Sequence, residues 1–305
     1  MKFEIVTNYQ REKRNNWIDE ISHLSGNFGE DAKKVEQEIS EEIQSNGVEA
    51  LLGHLRLCGV IPEKYGHDTS EEKLYSKYTD IIIHEAFKAI GLNSIVLQER
   101  SDVADVECVA QEYSFVADAK AFRLSRTAKN QKDFKVQALD NWKHGKPYAM
   151  LVCPVYQLPA KSSQIYQQAV VRSVFIATYT HLSVLVRYAE RINQTQAMIL
   201  LEDLFKSVAA MNPSKNANSY WQVINQKFLD SDQSLSNIWQ DEKQASIESI
   251  AISKKEALNF LAQERERIMK MSKEEAIQEL IKINKIDNKT RAVNAVGSNG
   301  ILRIN

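Results

Sequence analysis

Three cysteines in 305 residues, Cys58, Cys108 and Cys153, include no CxxC pair and are odd in number. A disulfide framework is therefore not expected, and a reducing compartment is the simplest reading. The six histidines (His23, His54, His67, His84, His144 and His181) show neither HxxxH nor a His/Cys ligand spacing, which removes the usual zinc patterns. No apolar stretch approaches the ~20 residues that a membrane-crossing helix needs. The start of the chain, Met1 to Arg11, lacks the apolar run of a signal peptide. The expectation is a soluble, cytoplasmic protein with no membrane association. A strong excess of one charge is missing too: 39 Lys and Arg against 40 Asp and Glu give a formal net charge of −1. That balance excludes a protein that coats nucleic acid through a large global positive charge, so any basic surface must be local.

What is present divides into three stretches. Residues 1–66 read as polar, mostly helical sequence that breaks at Gly59-Val60-Ile61-Pro62. In the second stretch, 67–185, Thr69-Ser70-Glu71-Glu72 has capping-box form and precedes a helical stripe of Leu74, Tyr75, Tyr78, Ile81, Ile82, Ala86 and Ala89 that ends at Gly91. Five strand-like runs follow, Ser94–Gln98, Asp105–Ala110, Ser114–Phe122, Tyr148–Pro154 and Val174–Tyr179, with a helix at Gln131–Trp142 between the third and fourth. This order predicts an α/β core built on a mixed sheet. The third stretch, 186–305, reads as helical, with a long charged helix over Ser253–Met271, a second capped by Ser272-Lys273-Glu274-Glu275, and an Asn-rich loop at Asn212–Ser219. All three stretches are expected to pack as one globular unit.

The excess of positive charge is concentrated in one place. From Asp118 to Lys146 there are eight Lys and Arg against three Asp and no Glu. At the head of this region lies Asp118-Ala119-Lys120. Alternate side chains on a strand share a face, so Asp118 and Lys120 project together. If the run beginning at Asp105 forms a hairpin with it, Asp105 and Asp118 can converge on one Mg²⁺, with the Ala119 carbonyl as a further hard oxygen ligand. Lys120 would then position or activate a water for attack on a phosphodiester. The spacing alone carries little: Asp31-Ala32-Lys33, Asp133-Phe134-Lys135, Asp241-Glu242-Lys243 and Asp287-Asn288-Lys289 share it. The strand context, the acid on the adjoining strand and the cations that follow separate Asp118 from these. Glu72 has two readings, completion of the capping box or a further acid for the metal site.

Cations recur every third residue through Lys120, Arg123, Arg126, Lys129, Lys132 and Lys135. Read as a helix, Arg126, Lys129, Asn130, Asp133 and Gln137 share one face, with Ala138, Leu139 and Trp142 opposite against the core. Cations hold phosphates without reading sequence, whereas Asn suits adenine and Asp suits cytosine N4. The ordinary alternative is a surface helix with ion pairs such as Lys129–Asp133.

Over Val116–Val136 the chain resembles the catalytic and DNA-reading segment of the HindIII restriction endonuclease family almost residue for residue. Weaker similarity runs through Glu72-Lys73-Leu74-Tyr75-Ser76-Lys77, Leu92-Asn93-Ser94, Tyr148-Ala149 and Ser163-Gln164-Ile165. The resemblance implies a PD-(D/E)xK core of the EcoRI-like class: a central mixed sheet flanked by helices, with helical N- and C-terminal elaborations. It implies a type II restriction endonuclease, a Mg²⁺-dependent homodimer that cuts double-stranded DNA at the palindrome AAGCTT after the first A, leaving 5′ overhangs. A cognate DNA methyltransferase is implied in the same system. By motif Asp105 takes the first acid, with Ala104 in place of the usual proline, Asp118 the second and Lys120 the lysine. Glu72 matches an acidic position in the family's first core helix. Asn130, Lys132, Asp133 and Lys135 match the segment that approaches the bases, with Arg123, Arg126 and Lys129 as further DNA contacts. Two other readings of the residues stay open: a structure-selective or junction-resolving nuclease on the same core, and a non-catalytic DNA-binding protein using Arg123–Lys135.

Overall fold

The computed structural model describes residues 4–97, 103–126 and 131–295, with backbone alone at 131 and 132. Three helices come first, α1 (Asn8–Ser22), α2 (Phe28–Asn46) and α3 (Val48–Leu57), followed by α4 (Ser70–Ile90). The expected helix stop at Gly59–Pro62 and restart at Thr69 are both found. Thr69 Oγ1 accepts from Glu72 N, so Thr69 is the N-cap of α4. Gly91, in the left-handed region at φ 106°, ends it, and Leu92 N reaches back to the Phe87 carbonyl.

The five expected strand runs all become strands: β1 (Asn93–Val96), β2 (Val106–Val109), β3 (Ser114–Ala119), β4 (Tyr148–Cys153) and β5 (Val174–Thr178). They form one sheet in the order β1-β2-β3-β4-β5, antiparallel from β1 to β3 and parallel from β3 to β5. The burial of each strand explains its pairing. β5 is buried at every residue, as is β4 apart from its first, as befits parallel strands covered on both faces; β1 and β2 alternate, as an antiparallel edge does. Helix α4 packs against β1, β2 and β3. Between β3 and β4 lie α5 (Gln131–Phe134) and α6 (Val136–Trp142), the latter packed against β3, β4 and β5. One continuous helix was expected here. Instead Lys135 adopts a left-handed conformation at φ 45° and divides the two.

The remaining helices are α7 (Gln164–Val171), α8 (Tyr179–Arg191), α9 (Gln194–Ala210), α10 (Ala217–Ser231), α11 (Ser234–Met269), α12 (Lys273–Ile283) and α13 (Ile286–Asn294). Phe205 of α9 lies against the sheet, its ring centroid 4.8 Å from both Phe115 and Tyr148. The Asn-rich loop is shorter than expected because Asn216 Oδ1 accepts from Asn218 N and Ser219 N and starts α10. The long charged helix begins at Ser234 rather than Ser253, since its first half is a buried face rather than a solvated one. The Ser272 capping box is present. No described helix is long and apolar enough to cross a membrane.

The chain forms two compact units, Met1–Ala257 and Leu258–Asn305. The first therefore includes the N-terminal helices, the sheet and α11 as far as Ala257 together. In the second, neither α12 nor α13 has a buried residue.

Buried charge ties the first unit across its sequence. Glu242 of α11, 1% exposed, receives Arg56 of α3 through Nε (3.0 Å) and Nη2 (2.5 Å) and also pairs with Arg187 Nε of α8 at 2.7 Å. Such a group is expensive to leave half-paired, because a removed partner strands a charge in low dielectric. Glu242→Ala, which removes the buried carboxylate that both arginines share, is expected to lower unfolding free energy by about 3–5 kcal/mol in denaturant melts. A loss below about 1 kcal/mol, typical of an exposed pair, would show that water reaches these charges.

Candidate active site

The antiparallel register of β2 with β3 brings two acids face to face. Val106 opposes Ala117 and Glu107 opposes Val116. Continuing one residue further sets Asp105 across from Asp118, and Asp105 N donates to the Ala117 carbonyl at 3.1 Å. Asp105 Oδ2 accepts from Ala119 N at 3.2 Å, while the buried Asp118 Oδ2 forms a direct ion pair with Lys120 Nζ. The hairpin anticipated from the sequence is thus present, and Asp105, Asp118 and Lys120 meet at its open end.

A third carboxylate joins them from α4. Asp80 is 3% exposed and pairs with Lys77 Nζ at 3.2 Å. Burial raises the Asp80 carboxyl to about 6, with Lys77 opposing the shift and Asp118 adding to it. Asp105 is pushed well above the usual carboxylate range by burial and then by repulsion from Asp80 and Asp118. Burial acts to lower the Lys120 ammonium, but Asp118, Asp105 and Asp80 outweigh it and hold it above its usual range. Three acids crowd together, partly compensated by two lysines. Sequence reading did not single out Asp80, although an acid set in Tyr78-Thr79-Asp80-Ile81-Ile82-Ile83, on an otherwise apolar stripe, is the signature of a buried charge with a task.

Glu72 is elsewhere. It lies eight residues before Asp80 on α4, about 12 Å along the axis at the helical rise. Its Oε1 accepts from Arg123 Nη1 at 2.7 Å and its Oε2 from Asp68 N at 2.5 Å. The helix-start reading is therefore the one the geometry favours, with the back-bond made to Asp68 rather than to the cap residue. In this structure Asp80, not Glu72, is the α4 carboxylate beside Asp105 and Asp118. Arg123 is also committed internally, because its Nη2 donates to the Tyr65 and Gly66 carbonyls. In this structure it braces the chain after β3 against the start of α4.

The reading segment departs from the regular helix expected of it. Arg126 precedes α5; its Nη2 donates to Asp133 Oδ1 at 2.5 Å, and its guanidinium stacks over Phe122 at 5.0 Å. Phe134, Val136, Leu139 and Trp142 are buried, with Ala138 packed against the core, so the apolar face is as predicted. Lys135 falls at the left-handed break and sets its ammonium 5.4 Å from the Trp142 ring centre. Lys129 and Asn130 lie outside the described residues, as does the side chain of Lys132.

Among the described residues no three His, Cys, Asp or Glu side chains stand ready as a metal cage. The donor set nevertheless suits a hard divalent cation: carboxylate oxygens in mutual repulsion, whose charge is now offset by Lys120, Lys77 and a raised proton affinity.

Comparison with known proteins gives the family. Residues 15–297 match the family model described as HindIII restriction endonuclease. The type II restriction enzyme HindIII of Haemophilus influenzae is 34% identical over 251 residues, 79% of this chain and 81% of that protein. The α/β fold and this extent of similarity define a type II site-specific deoxyribonuclease, a component of a restriction–modification system. The chain belongs to the HindIII restriction endonuclease family.

The geometry separates the two α4 acids experimentally. Asp80→Asn is expected to lower the cleavage rate by about 10²-fold or more, the range seen when a transition-state-stabilising group is removed. Glu72→Gln is expected to retain most of the rate while losing about 1–2 kcal/mol of stability through the weakened Arg123 bond. Single-turnover cleavage alongside thermal melting distinguishes them, and a dead but stable Glu72→Gln enzyme would return Glu72 to the active site.

Proposed function

We propose that this endonuclease hydrolyses duplex DNA at AAGCTT, cutting after the first A to leave 5′ overhangs, with Mg²⁺ as its ion. The observation that carries the catalytic reading is the register-enforced meeting of Asp105 and Asp118 beside Lys120. The match of the segment that follows to its counterpart in the HindIII family supports the target sequence. The enzyme acts in the cytoplasm as a homodimer, because a palindrome presents the same half-site to each of two twofold-related copies. A methyltransferase of the same specificity is its expected companion.

Asp105 and Asp118 are the acids that would hold the ion, with the Ala119 carbonyl at the same strand end and Asp80 alongside. The bound ion supplies charge stabilisation at the scissile phosphate. Lys120, held protonated by its acidic neighbours, orients the attacking water and offsets charge on the phosphate. As the water oxygen bonds to phosphorus, the bond to the 3′ oxygen breaks; the water gives up a proton to solvent and the leaving 3′ oxygen takes one up from it, so the step balances. Arg126, Lys129, Asn130, Lys132, Asp133 and Lys135 are the residues proposed to meet the DNA. Arg126 and Asp133 pair with each other in the free protein, and the pair would open or reorient against a base edge.

Digestion of a plasmid of known sequence in Mg²⁺, followed by sequencing of the ends, tests activity, target and overhang together. Fragments ending at AAGCTT with four-base 5′ extensions are expected, and Asp118→Ala is expected to yield none. Full cleavage by Asp118→Ala would sink the assignment of the site. Cutting of branched DNA regardless of sequence would replace the reading with a junction-resolving one.

A further inference from the structure

Lys120 and the reading segment are joined by a strap only a few residues long, and two tyrosines from outside hold it. Lys120 N donates to the Val152 carbonyl at 2.8 Å, the last rung between β3 and β4. Its own carbonyl accepts from Tyr179 Oη at 3.0 Å. Two residues on, Phe122 N donates to Gly59 O at 3.1 Å, and Ile61 N donates to Phe122 O at 3.2 Å. The Tyr156 hydroxyl spans both sides of that bridge, 2.5 Å from Gly59 O and 3.2 Å from Phe122 O.

The tyrosines are not loose surface groups. Tyr179 is 5% exposed and is the first residue of α8, directly after the Thr178 cap. Gly59 admits its ring: a Cβ there would stand 3.2 Å from two Tyr179 ring carbons and 2.9 Å from Pro154 Cβ. The strap then carries its position forward, since the Phe122 ring packs 6.2 Å from Phe134 of α5 and lies under Arg126.

We propose that Tyr179 and Tyr156 are positioning residues with divided tasks. Tyr179 fixes the Lys120 backbone so that the ammonium meets Asp118, and Tyr156 fixes Phe122 so that the reading segment keeps a set distance from the cutting site. Neither touches DNA or ion. The inference rests on the catalytic reading of Lys120 given above. A small displacement at a reacting group is costly to rate even when binding is intact, which is the behaviour each phenol prevents.

Phenylalanine at either position keeps the ring and removes only the hydroxyl. Tyr179→Phe is expected to lower kcat on AAGCTT duplexes about tenfold, the scale of one hydrogen bond, with KM unchanged. Tyr156→Phe is expected to reduce discrimination between AAGCTT and singly altered sites by about tenfold. Tyr166→Phe serves as control, because Tyr166 is also a buried tyrosine, 1% exposed, and its hydroxyl donates to Pro159 O, away from the strap. It should share any loss of melting temperature but keep wild-type kcat and discrimination. Wild-type kcat in Tyr179→Phe, or an equal fall in Tyr166→Phe, overturns the role of Tyr179. Unchanged discrimination in Tyr156→Phe overturns that of Tyr156. Lys120→Ala separates the two levels of the argument. If it still cleaves, the reading of Lys120 fails and the proposal with it; if it is dead while Tyr179→Phe is wild type, only the positioning role of Tyr179 fails.

Discussion

The pairing of β2 with β3 forces Asp105 and Asp118 together, and much of the site follows from that repulsion. Two carboxylates at opposed positions on neighbouring strands, with a third from α4, cannot all ionise in a buried setting without compensation. In the free protein the compensation comes from Lys120 on Asp118, Lys77 on Asp80, and a proton affinity at Asp105 lifted well above normal. Carboxylates crowded in this way favour a nearby cation, which supports the divalent-ion reading proposed above. The unfavourable interaction is stored beside β3 and β4, both buried apart from their first residue, where the backbone has no room to relax it.

Lys120 sits at the junction of two demands. Its ammonium belongs to the acidic cluster, while its backbone begins the strap that leads to the reading segment. Strap, brace and cation–π contact form a short chain of rigid links: Lys120 to Phe122, Phe122 to Phe134 and Arg126, and Arg123 to Glu72 at the start of α4. Since α4 also delivers Asp80, the Arg123–Glu72 pair closes a loop around the site. Arg126 and Phe134 are thus tied to the carboxylates from two sides, through the strap and through α4.

Much of this was legible in the sequence, and the exceptions have physical causes. The five strands could be read because short apolar runs between turn signals leave little choice of structure. Asp105, Asp118 and Lys120 could be read because the side-chain period of a strand fixes which residues share a face. Glu72 stood out by its place in a capping pattern and Asp80 by no motif at all, since a solvated carboxylate and a buried one carry the same group. Their difference lies in two turns of helix and in the burial around Asp80. The regular helix drawn through Arg126–Gln137 failed at Lys135, where a lysine occupies the left-handed region that local propensity reserves for Gly or Asn. Tyr156 and Tyr179 left no local trace at all, because their partners are carbonyls 34 and 59 residues distant.

Those long-range bonds explain why the helices outside the sheet are not mere elaboration. Tyr179 opens α8, and α8 is held through Arg187 to Glu242 of α11, which in turn receives Arg56 from α3. The Gly59 carbonyl that Tyr156 grips lies just beyond the end of α3. The same buried ion group that ties the first unit across its sequence thus anchors both walls of the strap. Loosening it at Glu242 would not alter any side chain beside Asp105 and Asp118, yet on the proposal above it would free the supports of both ends of the strap, Tyr179 at Lys120 and the Gly59–Tyr156 bridge at Phe122. In this enzyme the stability of the helical shell and the precision of the active site draw on one set of contacts.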